Sequence, residues 1–346
     1  MPRPPDEIVG IGDDAAVLPV PGGTVVASTD LLVEGRHFRR DWSGPVDIGV
    51  KAAAQNLADV AAMGALATAL LVGLAAPAGL PVAWVLDLAS GLAEEAGRAG
   101  AHVVGGDLSG ADAIVISVTA LGALAGQRPV TRSGARPSDV VAVAGRLGAS
   151  AAGLALLEAG YPASLAPPGL APPGVTSPSD VTPSSDVTPS SGVTPPSDVT
   201  PPSDVDLDAA VAAHRRPRPP YAAGRTAAGL GATSMIDISD GLLADLGHVA
   251  AASGVLIDIE TSRLDVGAPL TAVARALGLD PAADPASPGP LAWILTGGED
   301  HALAATFPAG NNIPTGWVEI GRVHKGHGLR VDGMNYRGNP GWRHFV

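Results

Sequence analysis

The sequence predicts two α/β domains with mixed sheets, separated by a disordered insert. Three observations carry this expectation. The chain has 346 residues, and a domain takes roughly 100–200. Short apolar runs alternate with helix-period segments on both sides of the middle. Between them, residues 161–206 consist mainly of Pro, Ser, Thr, Val and Asp and hold no Lys or Arg. The expected division is therefore an N-terminal domain over 1–150, an insert over 161–206 and a C-terminal domain over 207–346.

The elements follow in order. TVVAS (24–28) is a strand by its β-branched run. Residues 47–63 repeat apolar positions at helical spacing, and 67–74 form an apolar run of strand length. Residues 82–98 are helical, with Glu94 and Arg98 four apart. Apolar runs at 101–104, 113–121 and 140–144 are strands, and 147–157 is a helix. In the second region 208–214, 221–230 and 241–252 are expected as helices. Residues 234–238, 255–260, 293–295, 302–307, 317–323 and 328–331 are expected as strands. The insert carries a hexapeptide repeat from Ser179: SDVTPS twice, SGVTPP, SDVTPP, then SDV. Hexapeptide repeats also build β-helices. Here a proline at every fifth position would break each ladder, and the composition buries too little apolar surface to offset ordering.

Charge and composition exclude several classes. There are 34 acids against 21 bases, a net charge of −13, and only two lysines, Lys51 and Lys325. With no cysteine, disulfides, thiolate zinc sites, iron–sulfur clusters and a thiol nucleophile are out. An acidic chain should repel a nucleic-acid backbone. The least polar stretch, 60–76, falls short of the ~18–20 apolar residues a membrane span needs. A soluble, cytoplasmic chain with no nucleic-acid or membrane partner is expected. Neither lysine stands in a P-loop, and the protein-kinase set, HExxH and GxSxG are missing. The EF-hand-like run from Asp237 to Gly241 fails, because His248 holds the twelfth position where a Glu is needed.

What remains is aspartate at strand ends beside glycine or hydroxyl residues: GIGDDAAVL (10–18), STD (28–30), NLAD (56–59), VGGD (104–107) and IDISDG (236–241). Such aspartates commonly cap helices or close turns. Five together offer an alternative, an oxygen-only ligand set for Mg²⁺ or Ca²⁺, since a desolvated carboxylate is costly unless it meets a cation. The adjacent glycines would let a phosphate approach backbone amides.

Taken in order, these strings resemble the thiamine-monophosphate kinase family. Those carrying the likeness are GIGDDAAVL, STDLLVEGRHF (28–38), NLADVAAMGA (56–65), GGD (105–107), TRSGARPSD (131–139), IDISDGLLADLGH (236–248) and LTGGEDHAL (295–303). The wider superfamily resembles aminoimidazole ribonucleotide synthetase, so the resemblance implies two α/β domains of that type. It also implies ATP-dependent phosphorylation of thiamine monophosphate with several Mg²⁺ ions, ATP as co-substrate, and a homodimer. Metal positions carry over to Asp14, Ser28, Thr29, Asp30, Asp59, Asp107, Asp237 and Asp240. Of these, Asp30, Asp107 and Asp237 are expected to be catalytic. ATP positions carry over to Gly106, Asp107, Arg132 and Ser239, and substrate positions to His37, Glu299 and Trp342. Glu299 is equally a turn residue by type, and Trp342 a packing residue; Asp245 and His248 read as structural. After GGED this chain has His301 and Ala302, where the family carries an aromatic and an acid. Two alternatives stay open: a related ATP-dependent synthetase, and a metal–nucleotide binding module without turnover.

Overall fold

In the computed structural model the described residues are 9–10, 12–21, 23–162, 204–280, 282, 287–336 and 338–342. Most of the expected insert, 163–203, lies outside them. Its expected last residues, 204–206, instead open a helix.

The first sheet holds β1 (Ala16–Val20), β2 (Gly23–Val33), β3 (Leu66–Ala76), β4 (His102–Gly110) and β5 (Val115–Ala123), in the order β1-β2-β5-β3-β4. Only β3 and β4 run parallel. Two helices, α1 (Pro45–Ala62) and α2 (Val82–Arg98), cover one face. There Val26, Leu32, Leu70, Ile116 and Val118 pack against Leu57 and Leu88. Alternation along a strand sends the intervening residues to the opposite face, where Leu31 and Leu71 are exposed. No described element covers that face. The helices cross very closely: a Cβ on Gly91 would lie 2.0 Å from the Val46 carbonyl oxygen, and one on Gly49 2.2 Å from that of Leu88.

The second sheet comprises β6 (Val140–Ala144), β7 (Ser234–Ile238), β8 (Leu256–Ile259), β9 (Ala302–Phe307), β10 (Trp317–His324), β11 (Gly328–Val331) and β12 (Met334–Asn335). Its order is β12-β11-β8-β10-β6-β9-β7. Around it lie α3 (Ala149–Glu158), α4 (Asp204–Arg215), α5 (Tyr221–Gly229), α6 (Leu242–Ser253), α7 (Ala268–Ala276) and α8 (Pro290–Thr296). Leu242, Leu246 and Val249 of α6 pack on one face, against Ile236 and Val143. On the other face Met235, Leu303 and Phe307 meet Ala61 and Ala62 at the end of α1.

Three expectations change. Residues 140–144 do not stay with the first domain. As β6 they lie between β10 and β9 near the centre of the second sheet, because the fully buried VVAVA run needs partners on both edges. Residues 293–295 are helical within α8, which begins at Pro290, a residue pre-set for the first helical turn. VGGD lies inside β4 rather than after it, so Asp107 is a mid-strand residue.

Candidate active site

The site forms where β2, α1, β7 and the segment before β1 converge. Ser28 and Asp30, two apart on β2, turn toward α1. The Ser28 hydroxyl donates to Asp59 Oδ2 at 2.5 Å, and the Asp30 amide to Asn56 Oδ1 at 3.0 Å. Asp14 comes in from the turn before β1, and Asp237 from β7. Carboxylate oxygens of Asp14, Asp59 and Asp237 all lie within 4.8 Å of one another. Arg132 faces this group, bonding Asp14 Oδ1 through Nη2 at 2.5 Å and Nε at 3.1 Å, while its own amide donates to Asp13.

Three acids so close cannot all ionise freely. Burial, and then the charge of Asp237, pushes Asp14 up to about 8 despite Arg132. Burial, followed by the charges of Asp237, Asp30 and Asp14, holds Asp59 well above the usual carboxylate range. Asp14 Oδ2 is buried with no hydrogen-bond partner among the described residues. An orphaned carboxylate oxygen, all-oxygen donors and mutual repulsion fit a hard divalent cation.

A second group of residues flanks the first. The GGED turn packs directly on the end of β7: a Cβ on Gly298 would come within 2.4 Å of the Ser239 carbonyl oxygen. The Glu299 amide donates to Ser239 O at 2.8 Å, and the His301 amide to Ile238 O at 2.9 Å. Glu299 and His301 are left-handed, with φ of 65° and 51°. For non-glycine residues this costs on the order of 1–2 kcal/mol each. Lys51 of α1, only 3% exposed, donates to Glu299 Oε2 and to the His37 carbonyl, both at 3.0 Å. His214 Nδ1 lies 3.4 Å from the same Oε2 and 3.1 Å from Ser150 Oγ. Burial and then Lys51 push His214 down to about 3. Burial alone would raise Glu299, but Lys51 and His214 outweigh it and hold the group below its ordinary value. His301 Nδ1 sits 3.1 Å from Asp237 Oδ2.

The remaining residues of the expected set take up different places. Ser239 and Asp240 follow β7, and Asp245 Oδ2, from within α6, accepts the amides of Asp240 and Gly241, so Asp245 is a structural residue that pins the turn into the helix. Trp342 donates its amide to Asp240 O at 2.9 Å and leaves its ring exposed. Thr29 is not brought to the carboxylates. Being odd-numbered on β2, it points to the uncovered face, where its hydroxyl donates to Val118 O. Asp107 pairs in register with Gly73, and Gly73 with Ser117 and Ser117 with Leu31, on that same uncovered face. Asp107 is exposed, and Ser109 Oγ donates to it at 3.3 Å. Gly106 is held tightly against β3, since a Cβ there would lie 1.8 Å from Val72 O. Sequence reasoning missed Lys51, Asn56 and His214. Lys51 left a signal as one of the chain's two lysines, placed within a strongly apolar helix, and Asn56 stood at the head of the NLAD string; His214 left none.

This architecture defines a class. Residues 12–124 match the family described as AIR synthase related protein, N-terminal domain. Hydrogenase maturation protein HypE, at 20% identity and a TM-score of 0.59, shares the fold. The particular family follows from nearer relatives. The thiamine-monophosphate kinase of Mycobacterium tuberculosis is 44% identical over 99% of this chain and 87% of its own length, and that of Corynebacterium glutamicum 37% over 96% and 88%. The structure of AaThiL complexed with AMPPCP and TMP superposes with a TM-score of 0.77 at 32% identity, covering 97% of this chain and 92% of that one. The chain belongs to the thiamine-monophosphate kinase family. Among the described residues no helix is long and apolar enough to cross a membrane.

Proposed function

We propose that the protein transfers the γ-phosphoryl group of ATP directly, in line, to the phosphate of thiamine monophosphate, giving thiamine diphosphate at a site holding several Mg²⁺ ions. The observation that carries this is the Asp14–Asp59–Asp237 cluster with its buried, orphaned Asp14 oxygen, in a chain of this family. The metal-holding set would be Asp14, Ser28, Asp30, Asp59, Asp237 and Asp240, with Thr29 and Asp107 as further candidates. Bound Mg²⁺ would supply neutralisation of the donor and acceptor phosphates, without which two polyanions repel.

The chain's own groups do the positioning. Arg132 offers a planar fork for a phosphate, held in place by Asp13 and Asp14. Ser239 lies at the end of β7 beside the acids. His37, Glu299 and Trp342 are assigned to the organic part of the acceptor; the carboxylate and the exposed indole both suit a cationic ring. The acceptor oxygen is ionised near neutral pH, so no general base is required of the protein.

Homodimerisation is part of the proposal. The uncovered face of the first sheet and the exposed strand β4 suit pairing with a second copy, which would cover Leu31, Leu71, Thr29 and Asp107 together. The test is direct. Purified protein, ATP, Mg²⁺ and thiamine monophosphate should yield thiamine diphosphate and ADP. Tight binding of both ligands without product would favour a non-catalytic module instead.

A further inference from the structure

Lys51 is a buried cation that the metal-assisted chemistry does not use. It sits two turns before Asp59 on α1, and its ammonium reaches two residues assigned to the acceptor, the His37 carbonyl and Glu299 Oε2, both at 3.0 Å. These come from distant parts of the chain: His37 precedes α1, and Glu299 lies 248 residues beyond Lys51. Glu299 is held in left-handed backbone at φ 65°, a conformation that persists only where its surroundings over-determine it. Its amide is fixed by Ser239 O, and its carboxylate by Lys51. Among the described residues no hydrogen bond reaches Oε1.

We infer that Lys51 is a positioning residue for the acceptor: it fixes Glu299 so that Oε1 faces the cationic or amino-bearing heterocycle, and it ties that contact to His37. The inference rests on the thiamine monophosphate reading. A carboxylate held at one oxygen by a buried ammonium cannot swing onto another cation, and keeps its second oxygen for a ligand donor. Because α1 also carries Asp59, one rigid helix sets the spacing between the phosphate end and the heterocycle end. Eight residues at 1.5 Å rise place the two Cα atoms about 12 Å apart.

The test compares wild type, Lys51→Met, Lys51→Arg, Glu299→Gln and the double variant Lys51→Met/Glu299→Gln, measuring KM for thiamine monophosphate and for ATP separately. Lys51→Met should raise KM for thiamine monophosphate about tenfold or more, the worth of a charge-assisted bond, with KM for ATP within about twofold. Lys51→Arg should recover part of the loss, and the double variant should be no worse than Glu299→Gln alone. Equal rises in both KM values, no rescue by arginine, or additive losses would overturn the inference. If Lys51→Met does not fold, the double variant, which leaves no unpaired buried charge, decides. Matching Glu299→Gln supports the inference, and a further loss for thiamine monophosphate and ATP alike overturns it. A wild type inactive on thiamine monophosphate sinks the functional reading and this inference together, whereas an active wild type matched by Lys51→Met sinks the inference alone.

Discussion

Replacing Asp59 by Asn should stabilise the metal-free protein while removing its activity. Oxygens of Asp59, Asp14 and Asp237 lie within 4.8 Å. At an effective dielectric of 20, two full charges at that distance repel by about 3.5 kcal/mol. Arg132 and partial protonation offset part of this, so the net relief is on the order of 1–3 kcal/mol. Asn keeps an acceptor for the Ser28 hydroxyl. The sign follows from linkage. A carboxyl whose folded pKa is raised disfavours folding as pH climbs from the unfolded value to the folded one, here 3.8 to about 8 for Asp14. The wild type in EDTA should therefore lose stability from pH 5 to pH 8, and D59N should lose less. For a chain this long 1 kcal/mol moves Tm by about 2 °C, so thermal melts in EDTA at pH 8 should place D59N roughly 2–6 °C higher, with the gap closing toward pH 5. Millimolar Mg²⁺ should raise wild-type Tm more than that of D59N. A D59N Tm below wild type in EDTA at pH 8, or a gap independent of pH, would refute the repulsion argument.

The other predictions concern residues outside this repulsion. Asp107→Asn should cut thiamine diphosphate formation by about 100-fold or more if it holds metal, yet leave the Tm of the dilute, metal-free single copy within about 1 °C, because there Asp107 is exposed and hydrogen-bonds to Ser109 at the surface; unchanged turnover would remove it from the site. Gly91→Ala should destabilise by about 3 kcal/mol or more in urea titration, since its Cβ would stand 2.0 Å from the Val46 carbonyl; a loss under about 0.5 kcal/mol would mean that α1 and α2 separate easily. Tyr221→Phe should cost about 1.5–3 kcal/mol by the same method, because its hydroxyl donates at 2.6 Å to the fully buried carboxylate of Glu95. Its ring would stay under Arg98, so a neutral result would show that Arg98 alone satisfies Glu95.

Much of this was legible in the residues, and the failures have physical causes. Strands 234–238, 302–307 and 328–331 emerge as read, being apolar runs bounded by polar or glycine residues. Residues 293–295 misled because a three-residue apolar run carries no period; Pro290 just before it was the better signal. β6 was assigned by proximity in sequence, whereas strand pairing is decided by which edge can bury both faces. Within STD, period-two alternation separates Thr29 from Ser28 and Asp30, a distinction that motif reading ignores. Lys51 stood out by type, but its role was unreadable because its partner Glu299 is 248 positions away and only the fold makes them neighbours.

The end of α1 has a consequence for how the protein comes apart. Leu57 and Val60 belong to the core under the first sheet, and Ala61 and Ala62 to the core against the second. Gly224 lies so near this helix that a Cβ would stand 2.0 Å from the Ala61 carbonyl oxygen. Neither sheet can shed α1 without opening its own core. Two sheets would ordinarily suggest two melting events, but a shared structural member ties them into one cooperative unit. Each half, expressed alone, would lack a wall, and the geometry of the acid cluster is inherited from folding as a whole rather than from either half.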